Sequence, residues 1–496
     1  MMYCELQTAT LSGIEAIPVE VQVHIASGLP NFHIVGMGDV AVKEARQRVT
    51  SALRSCRFRM PDGCITVNLA PALLHKHGTG FDLAIALGII IASGQAQVPD
   101  HDRLLIIGEL GLRGQVSTVN GLVAYARLAA QKHRVLLTPE PQQLDGVISC
   151  TVIPIAHLSE LRSLREQTLG GQAENGEPAT YANDFSEVIG QSQAIRALTI
   201  AAAGQFNVLL IGPPGTGKTM LAARLPSILP PMDHDEFIET ALVRSVAGEL
   251  THEPAAQRPF RSPHHSATTV GIVGGGSPIR PGEITLAHNG VLFLDEMPQF
   301  SSSTLQSLRQ PLEDGRLRIV RAQETVVLPA RVMLIGAANP CPCGYFGDKE
   351  KKCHCSPADI QRYQNRIGGP LIDRFDMTLY ASRPPVAGLF EEDARGRCGS
   401  AELRAQVVSA REFAAKRQMA PVRELQRDEL CDEQLCDPAA LQCLKRSAER
   451  LLLSPRAIVR ILRVARVIAD MDLSPRVAEE HLIEALSYRV SILEHF

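Results

Sequence analysis

The segment NVLLIGPPGTGKTMLAARL, residues 207–225, constrains the fold more than any other part of the chain. An apolar run, Val208–Ile211, leads into a glycine-rich loop and then into a helical stretch. The loop consists of Gly212, Pro213, Pro214, Gly215, Thr216, Gly217, Lys218 and Thr219. In such loops backbone N–H groups close around phosphates, the lysine reaches the β- and γ-phosphates, and the threonine hydroxyl binds Mg²⁺. A chance glycine loop would lack this flanking strand and helix, so the order predicts a site for ATP and Mg²⁺ in an α/β fold.

Two further apolar runs end in polar residues that suit the same site. Val291–Leu294 is followed by Asp295 and Glu296, and VMLIGAANP ends at Asn339. The carboxyl ends of buried parallel strands meet at one edge of a sheet, where ligands bind. We expect Asp295 to hold Mg²⁺ through water, Glu296 to polarise the attacking water and Asn339 to orient it. An asparagine before a proline is also an ordinary turn residue, so the pattern alone leaves the role of Asn339 open.

Composition excludes several classes of protein. The chain has 496 residues, which at roughly 150 per domain suggests about three domains. Lys+Arg 50 against Asp+Glu 53 excludes a globally basic protein that coats nucleic acid by bulk charge. Aromatic residues make up 4%, with no Trp, which disfavours a long base-stacking platform. Scattered cysteines, a start without a basic and apolar leader, and a longest apolar run of only Leu83–Ala92 indicate a cytoplasmic protein with reduced thiols.

Polar stretches divide the chain into three parts. The first part reads as strands at Val19–Ala26, Cys64–Ala70 and Arg103–Leu110 with a basic helix at Lys43–Arg59. Helical patterns dominate the last part, at Leu403–Arg417, Pro438–Leu452, Ala457–Met471 and Pro475–Val490. The breaks fall at Gly170–Ser186 and Glu391–Ser400. We therefore predict domains at 1–168, 187–390 and 391–496, with a linker at 169–186.

The motifs together resemble those of a known ATPase family. GPPGTGKT, VLFLDE, Asn339, GPLIDRFD (369–376) and SPRAIVRI (454–461) look like an AAA+ ATPase of the magnesium-chelatase-like group, in particular the ComM/YifB family. The stretch RPFRSPHHSATTVGIVGGGSPIRPGEITLAHNGVLFLDE is especially similar to that family. The resemblance implies an α/β AAA+ P-loop core with a helical carboxyl-terminal lid, usually assembled as a hexameric ring.

The same resemblance assigns roles to two arginines. Arg374 would be an arginine finger that enters the neighbouring subunit's site, and Arg456 would be the lid residue that senses the γ-phosphate. A planar, permanently charged guanidinium suits both tasks, because negative charge develops on the transferred phosphoryl group. The alternative is a surface or capping arginine at each position, and Arg366 is a weaker rival for the finger.

Residues 313–328 read as two strands joined by a short polar turn. Arg316, Arg318 and Arg321 lie within six residues that contain no acid. The resemblance implies a pre-sensor β-hairpin that projects into the ring pore, where a sixfold repeat would suit contact with DNA phosphates without sequence readout. The alternative is an edge hairpin with solvated arginines.

Two other segments are weaker candidates for DNA contact. The glycine-rich stretch Arg261–Glu283 resembles the family's helix-2 insert, which also faces the pore. Its His264 and His265 could pass for metal ligands, but we expect them to be structural or pore-lining. The basic helix Lys43–Arg59 is more often simply a solvated face.

Four of the 12 cysteines lie within 15 residues directly after Asn339. Cys341, Cys343, Cys353 and Cys355 form two C-x-C pairs across a polar loop, a set that could bind Zn²⁺ tetrahedrally, with His354 as a substitute ligand. C-x-C spacing is less typical of zinc sites than C-x-x-C, and reduced thiols on a loop are the alternative.

The first 168 residues are similar to the proteolytic fold of Lon protease, an α+β domain. HKHGTGFDLAIALGII (75–90) aligns with the Lon loop that carries the nucleophilic serine, and LRGQVSTVNGLVAYA (112–126) with the segment that carries its lysine. The serine position is Gly80 and the lysine position is Val123, so the hydroxyl and amine of a Ser–Lys mechanism are both missing. A displaced pair, Lys76 and Thr79, is an alternative. We predict a non-proteolytic domain that scaffolds the ring or contacts DNA.

These observations predict a ring-forming, ATP-dependent DNA motor. The resemblance implies a helicase or branch-migration factor that acts on single-stranded or branched DNA in recombination, during natural transformation where the host takes up DNA. One alternative is an ATPase that remodels a protein partner, as in magnesium chelatase. An ATP-dependent protease and a non-enzymatic DNA scaffold are the others, the last disfavoured by Lys218, Asp295 and Glu296.

Overall fold

The structure is a computed structural model of the 496-residue chain. It describes residues 2–98, 100–144, 146–162, 166–169, 181–250, 256–321, 325–348, 350–383, 398–417 and 420–495. Three predicted features lie wholly or partly outside the described residues. They are most of the linker at 169–186, the tip of the hairpin at 322–324, and residues 391–397 of the second break.

The amino-terminal part is built on a mixed sheet. Its strands in chain order are β1 (Met2–Ser12), β2 (Glu15–Ala26), β3 (Asn31–Val35), β4 (Cys64–Ala70), β5 (Leu104–Ile106), β6 (Glu109–Leu110), β7 (Val116–Ser117), β8 (Val135–Thr138), β9 (Cys150–Pro154) and β10 (Gln167–Leu169). Among the described residues, eight of them form one sheet in the order β10-β9-β8-β5-β1-β2-β4-β3, and β6 pairs with β7 separately. Alternate residues of β2 are buried, as expected for a strand with one covered face.

Three helices cover this sheet: α1 (Val40–Ser55), α2 (Asp82–Ala92) and α3 (Leu122–Gln131). After Asp82, α2 is apolar on every side and buried over nearly its whole length, which explains a run of Leu, Ala and Ile broken only by Gly88. α1 is amphipathic and buries only one face, including Val42, Val49 and Leu53.

Several boundaries differ from the sequence prediction, and three of the differences have a clear local cause. The predicted strand Arg103–Leu110 is two short strands, because Glu109–Leu110 leaves the sheet to pair with Val116–Ser117. The helix predicted at Lys43–Arg59 runs from Val40 to Ser55, because Asp39 caps its start and Arg57 turns the chain with φ +62°. The helix predicted from Pro475 begins at Glu479, because residue 477 instead bonds to the backbone of residues 435 and 437.

A second sheet, here called the central sheet, is entirely parallel. Its strands are β11 (Val208–Ile211), β12 (Phe260–Arg261), β15 (Val291–Leu294), β18 (Met333–Ala338) and β19 (Met377–Tyr380), in the order β12-β15-β18-β11-β19. β11, β15 and β18 are buried at every position, which fits their continuous apolar sequence. β13 (Gly274–Gly275) and β14 (Arg280–Pro281) form a small hairpin, and β16 (Arg316–Val320) and β17 (Thr325–Pro329) form another.

Helices surround the central sheet and follow it in sequence. Around the sheet lie α4 (Ser192–Gly204), α5 (Lys218–Arg224), α6 (His234–Ala247), α7 (Thr269–Val273), α8 (Glu283–Leu286), α9 (Ser302–Ser307), α10 (Arg309–Asp314), α11 (Pro357–Gln364) and α12 (Gly369–Ile372). The carboxyl-terminal part consists of α13 (Ser400–Ala415), α14 (Arg427–Leu430), α15 (Pro438–Arg450), α16 (Pro455–Met471) and α17 (Glu479–His495). No helix in the described part of the chain is long and apolar enough to cross a membrane.

The amino-terminal part packs directly on the central part at two places. At the start of α3 the Gly121 N–H donates to the Ser245 carbonyl of α6 at 2.9 Å. The turn between β1 and β2 lies against the β16–β17 hairpin, where a Cβ added to Gly13 would come within 2.5 Å of Val326 Cγ1. The β16–β17 hairpin is thus supported by the amino-terminal part from one side.

Candidate nucleotide site

The predicted nucleotide site is a cavity at the carboxyl edge of the central sheet. Because β11, β15 and β18 are parallel, their ends deliver the glycine-rich loop, the acidic pair and the asparagine to one place. The cavity has a volume of about 400 Å³. It is lined by Pro214, Gly215, Thr216, Gly217, Lys218, Thr219, Met220, Asp295, Glu296, Ala337, Ala338 and Asn339.

Lys218 lies at the start of α5, with its ammonium turned back over the loop. It donates to the carbonyls of Gly212 and Pro213 at 2.8 and 2.9 Å and to Asn339 Oδ1 at 3.3 Å. Burial lowers the pKa of Lys218 to about 8, and the nearby Asp295 and Glu296 only partly oppose that shift. The ammonium is therefore poised for a polyanionic partner that would replace its weak carbonyl contacts.

Oxygen donors for a divalent cation meet beside the lysine. The Thr219 hydroxyl donates to Asp295 Oδ2 at 2.7 Å, so both oxygens can face one ion. This pair of a hydroxyl and a carboxylate suits Mg²⁺, which prefers few protein oxygens together with waters and phosphate. The residues present thus fit the ion that the sequence predicts.

Glu296 is held in an unusual backbone conformation at the same edge. Its φ of +48° is uncommon for a residue with a side chain and is typical of strained functional positions. Its carboxylate is half exposed, and His265 Nδ1 lies 3.9 Å from Glu296 Oε2. His265, for which we expect a structural or pore-lining role, thus lies beside the predicted catalytic glutamate.

Gln191 is a neighbour of this site that the sequence analysis missed. It is buried just before α4, and its Nε2 donates to the Thr216 carbonyl at 2.6 Å. This hydrogen bond holds the glycine-rich loop against the residue that precedes α4. In the sequence, this residue is only a glutamine immediately before the helix that precedes β11. That position does not by itself indicate contact with the glycine-rich loop.

Arg374 lies at the opposite edge of the central sheet from this cavity. It comes shortly before β19, and its carbonyl accepts from Asn207 Nδ2 at 3.0 Å, just before β11. Since the glycine-rich loop follows the other end of β11, a whole strand separates Arg374 from the cavity of its own chain. Its side chain is largely buried in an ion pair with Glu313 at the end of α10.

The loop that carries Arg374 is also tied to the carboxyl-terminal helices. Asp376 faces Arg460 of α16 at 3.9 Å, and Arg489 of α17 donates to the Phe375 carbonyl at 2.9 Å. Arg456 lies one helical turn before Arg460, so it occupies the same side of the molecule as Arg374. The predicted finger and the predicted lid arginine are therefore together, and both are separate from the cavity. Arg366, the weaker rival, is exposed.

Arg316 and Arg318 lie on the open side of the β16–β17 hairpin, and Arg321 follows directly after β16. Leu317 faces inward, and Arg316, Arg318 and Arg321 are exposed. In the described part of the chain none of the three has an ion-pair partner. A guanidinium nitrogen of Arg321 lies 3.3 Å from the position of a Cβ on Gly275, which pairs with Arg280 on β14. Sequence reasoning missed the exposed Arg280, because only the fold places the two hairpins side by side.

The cysteine loop lies next to Asn339 and brings its four thiols together. The Sγ atoms of Cys341, Cys343, Cys353 and Cys355 all lie within 4.8 Å of one another. His354 is exposed, and its side chain is not in this group.

The positions that align with the Lon serine and lysine are apolar and covered. A Cβ on Gly80 would meet the methyl groups of Val119 at 3.6 Å and of Ile107 at 3.9 Å. Val123 is fully buried, and its N–H donates to Ser245 Oγ of the central part at 3.2 Å. Lys76 is buried with its amine on the Pro71 carbonyl, whereas the Thr79 hydroxyl donates to Glu109, so the two do not bond to each other.

Comparison with known proteins gives matches along most of the chain. Residues 184–387 match the family described as magnesium chelatase, subunit ChlI, residues 21–142 match subunit ChlI of Mg-chelatase, and residues 398–489 match the carboxyl-terminal part of the same subunit. Competence protein ComM of Haemophilus influenzae is 41% identical over 498 residues, covering 97% of this chain and 96% of the relative. The uncharacterized protein YifB of Salmonella typhimurium is 40% identical over 490 residues, covering 98% and 96%. The magnesium-chelatase 38 kDa subunit of Acidiphilium rubrum is 25% identical over 330 residues, covering 60% and 87%.

These matches confirm the resemblance and the α/β fold with helical carboxyl-terminal part that the motifs predicted. Membership also implies ATP and Mg²⁺ as ligands, in agreement with the donors around Lys218. The chain belongs to the ComM/YifB family of magnesium-chelatase-like AAA+ ATPases.

Proposed function

We propose that this protein is a ring-forming, ATP-dependent DNA motor that unwinds or branch-migrates DNA during recombination. Six copies would form the ring, and each would hydrolyse ATP at the boundary with its neighbour. The substrate would be single-stranded or branched DNA, bound without sequence preference in the cytoplasm. ATP and Mg²⁺ would be its cofactors, together with Zn²⁺ on the four cysteines.

Separation of the hydrolytic groups supports the ring. Lys218, Asp295, Glu296 and Asn339 converge at one edge of the central sheet, and Arg374 lies at the other. A guanidinium near the γ-phosphate strongly stabilises the charge that develops in phosphoryl transfer. Arg374 can supply that charge only to the cavity of a second subunit.

Within one subunit the residues around the cavity divide the chemistry between them. Bound Mg²⁺ would neutralise phosphate charge as the bond to the γ-phosphate breaks. Lys218 would bind the β- and γ-phosphates, and Glu296 would accept a proton from the water that Asn339 orients. His265, next to Glu296, would hold the carboxylate in position.

The open side of the β16–β17 hairpin is the observation that carries the DNA part of the proposal. Arg316, Arg318 and Arg321 are exposed, and Arg280 of the neighbouring hairpin adds a fourth cation. Guanidinium groups without carboxylate partners favour a polyanion, and phosphate contacts are independent of sequence. A sixfold repeat would multiply this small local charge around a pore.

A competence relative suggests the biological setting. The Haemophilus influenzae protein that is 41% identical to this chain is named a competence protein. We infer that this chain acts on DNA taken up in natural transformation, where its host takes up DNA. The relative covers nearly the whole chain, so the comparison includes both hairpins and the cavity.

A protein-remodelling ATPase is the second candidate, because the matching families and the Acidiphilium rubrum relative are named for magnesium chelatase. Pores that pull polypeptide usually display an aromatic residue, and the segment 313–329 contains none. An ATP-dependent protease is disfavoured by the covered apolar positions Gly80 and Val123.

Unwinding of forked and branched DNA by the purified protein, with ATPase measured in parallel, tests the proposal. We expect Lys218→Ala to abolish both activities. Arg318→Ala is expected to keep ATPase without DNA but to lose DNA binding and unwinding. Wild-type protein that hydrolyses ATP but neither binds nor moves any DNA would exclude the motor and favour protein remodelling.

A further inference from the structure

The four clustered cysteines are spaced as ligands of one metal ion. The Sγ–Sγ distances are 3.4 Å for Cys341–Cys343, 3.7 Å for Cys341–Cys353 and 3.6 Å for Cys343–Cys353. Four sulfurs at about 2.3 Å from a central zinc ion, in tetrahedral array, are about 3.8 Å apart. A disulfide would need about 2.05 Å, so these thiols are placed around a common centre and are not bonded in pairs.

Backbone N–H groups of the loop point at two of the four sulfurs. The Phe346 N–H donates to Cys341 Sγ at 3.3 Å, and the Cys355 N–H donates to Cys353 Sγ at 3.4 Å. Gly344 has φ +84°, a conformation that side chains rarely adopt, and its N–H closes the turn onto the Cys341 carbonyl at 3.0 Å. The turn therefore lets both sulfurs of the first C-x-C pair reach the same point.

The ligand set selects the kind of ion. All four donors are sulfur, and the group includes no carboxylate. Soft thiolates disfavour Mg²⁺ and Ca²⁺, and a closed set of four suits a structural Zn²⁺ site. A cluster of several irons would lie between its thiolates and push them farther apart than the 4.8 Å limit observed here.

The cysteine loop touches two parts of the nucleotide site. Cys341 follows Asn339 by two residues, and Asn339 Oδ1 accepts from the Lys218 ammonium at 3.3 Å. On its other side, a Cβ added to Gly344 would come within 2.7 Å of Pro214 Cδ, so the loop packs directly on the glycine-rich loop.

The segment that closes the cysteine loop returns to the same asparagine. α11 follows Cys355, and Gln364 of this helix donates to the Pro340 carbonyl at 3.1 Å. Tying the first C-x-C pair to the second would therefore hold Pro340 and its neighbour Asn339 from both ends of the loop.

We propose that Cys341, Cys343, Cys353 and Cys355 bind one Zn²⁺. This ion would hold the Asn339 segment and the glycine-rich loop in the relative positions that bind ATP. The second half of this inference rests on the proposed ATPase site, whereas the first half does not. Without the ion, the two C-x-C pairs would separate and Asn339 would lose its support. The ion is structural, because four protein ligands leave no open position for a reacting water.

Metal analysis of the full-length protein, purified under reducing conditions without chelator, tests the first half. We expect about one zinc per chain. Cys353→Ser should lose the metal, Cys355→His should keep it because imidazole is also a zinc ligand, and the exposed Cys398→Ser should keep it as a matched control. Cobalt substitution of the wild type should give the visible absorption of a tetrahedral thiolate site, a readout that needs no variant. Wild-type protein without stoichiometric metal, and without that cobalt spectrum, would overturn the site.

The second half is tested by the ATPase KM before and after a thiol reagent releases the zinc. We expect KM for ATP to rise several-fold on release and to recover when zinc and reductant are restored, with Cys398→Ser behaving as wild type. An unchanged KM in protein shown to have lost its zinc would refute the structural coupling and leave the metal site intact. Failure of the proposed ATPase would show separately, as wild-type activity no higher than that of Lys218→Ala.

Discussion

The two edges of the central sheet carry opposite kinds of chemistry. At the carboxyl edge, loops after β11, β15 and β18 form an open cavity in which Lys218 has only weak carbonyl and amide partners. At the amino edge, Arg374 is largely buried in an ion pair with Glu313, and its Nε has no hydrogen-bond partner among the described residues. The carboxyl edge thus presents a cation, Lys218, to an open cavity that phosphate could enter. The amino edge holds a second cation, Arg374, away from the cavity of its own chain.

This difference explains why a single subunit would be a poor catalyst. The groups proposed to bind nucleotide and water are complete within one chain, but the guanidinium proposed to stabilise the transition state is not among them. If the amino edge of one subunit packed on the carboxyl edge of the next, Arg374 would complete the neighbour's site. Repeated head to tail, this contact would close into a ring.

The largest effects are expected from variants that each remove one proposed catalytic group, from either edge of the central sheet. Arg374→Ala should reduce ATPase by about 10³-fold or more, the contribution of arginine fingers in related chemistry, while ATP binding persists. Glu296→Gln should also be inactive, because the water loses its base. ATP hydrolysis of each purified variant measures both losses.

Co-expressing the two inactive variants distinguishes action in trans from action in cis. In mixed rings about one quarter of the boundaries would pair an intact cavity with an intact finger, so activity should return to a measurable fraction of wild type. A mixture of Arg374→Ala with Lys218→Ala, whose finger is also intact, should show the same rescue. If every mixture stays inactive, Arg374 does not serve a neighbouring cavity.

The arginines of the β16–β17 hairpin are expected to contact DNA phosphates, and replacing one of them tests this. Arg318→Ala should weaken binding of single-stranded DNA by about tenfold at moderate salt, and the slope of log affinity against log salt concentration should become shallower by about 0.7 for each phosphate no longer neutralised. Binding measured over a range of salt concentrations reports both effects. Arg54→Ala on α1 removes an equal charge from the weaker candidate helix and should change neither quantity. Equal effects of both variants would show that bulk charge, not the hairpin, attracts DNA.

Sequence reasoning predicted the elements that depend on local pattern. β11 and β15 begin and end where predicted, because a buried parallel strand is a continuous apolar run flanked by functional residues. β16 and β17 were predicted as two strands joined by a short polar turn, and their antiparallel pairing confirms it. Local signals sufficed where the bounds of a strand, or the turn that joins two strands, are encoded in the run of residues itself.

Contacts between distant segments could not be predicted in this way. Gln191, His265 and Arg280 each act on a residue at least 25 positions away or on a neighbouring hairpin. The Glu313–Arg374 pair joins residues 61 positions apart and depends on where α10 packs. Nothing in the sequence around Glu313 separates it from the other exposed acids of the chain.

Glu313 offers a finer test of the amino edge, because it lies in the last turn of the helix that leads into the β16–β17 hairpin. The Glu313 carboxylate is half exposed, so its ion pair with the largely buried Arg374 is worth about 1 kcal/mol. Freeing Arg374 for the neighbour's phosphate should therefore raise the DNA-independent ATPase rate by up to about fivefold. Glu313→Gln is the variant, and steady-state ATPase with and without DNA is the measurement. Asp314→Asn changes the adjacent acid and should leave the rate unaltered. A slower Glu313→Gln enzyme would mean that the pair positions the finger instead of restraining it.

The smallest expected effect concerns the carboxyl edge and its lysine. Burial lowers the pKa of Lys218 to about 8, so in the nucleotide-free protein the ammonium loses its proton as the pH rises through that value. Phosphate binds the charged form, and binding therefore weakens above the pKa and is unaffected well below it. Between about pH 7.5 and pH 8.5 the charged fraction falls by about threefold, and KM for ATP should rise by the same factor. Lys218→Arg carries a permanent charge and should show a flat profile over this range. If KM for ATP rose equally in both proteins, a group other than Lys218 would be titrating. The Lys218 ammonium would then stay charged over this range.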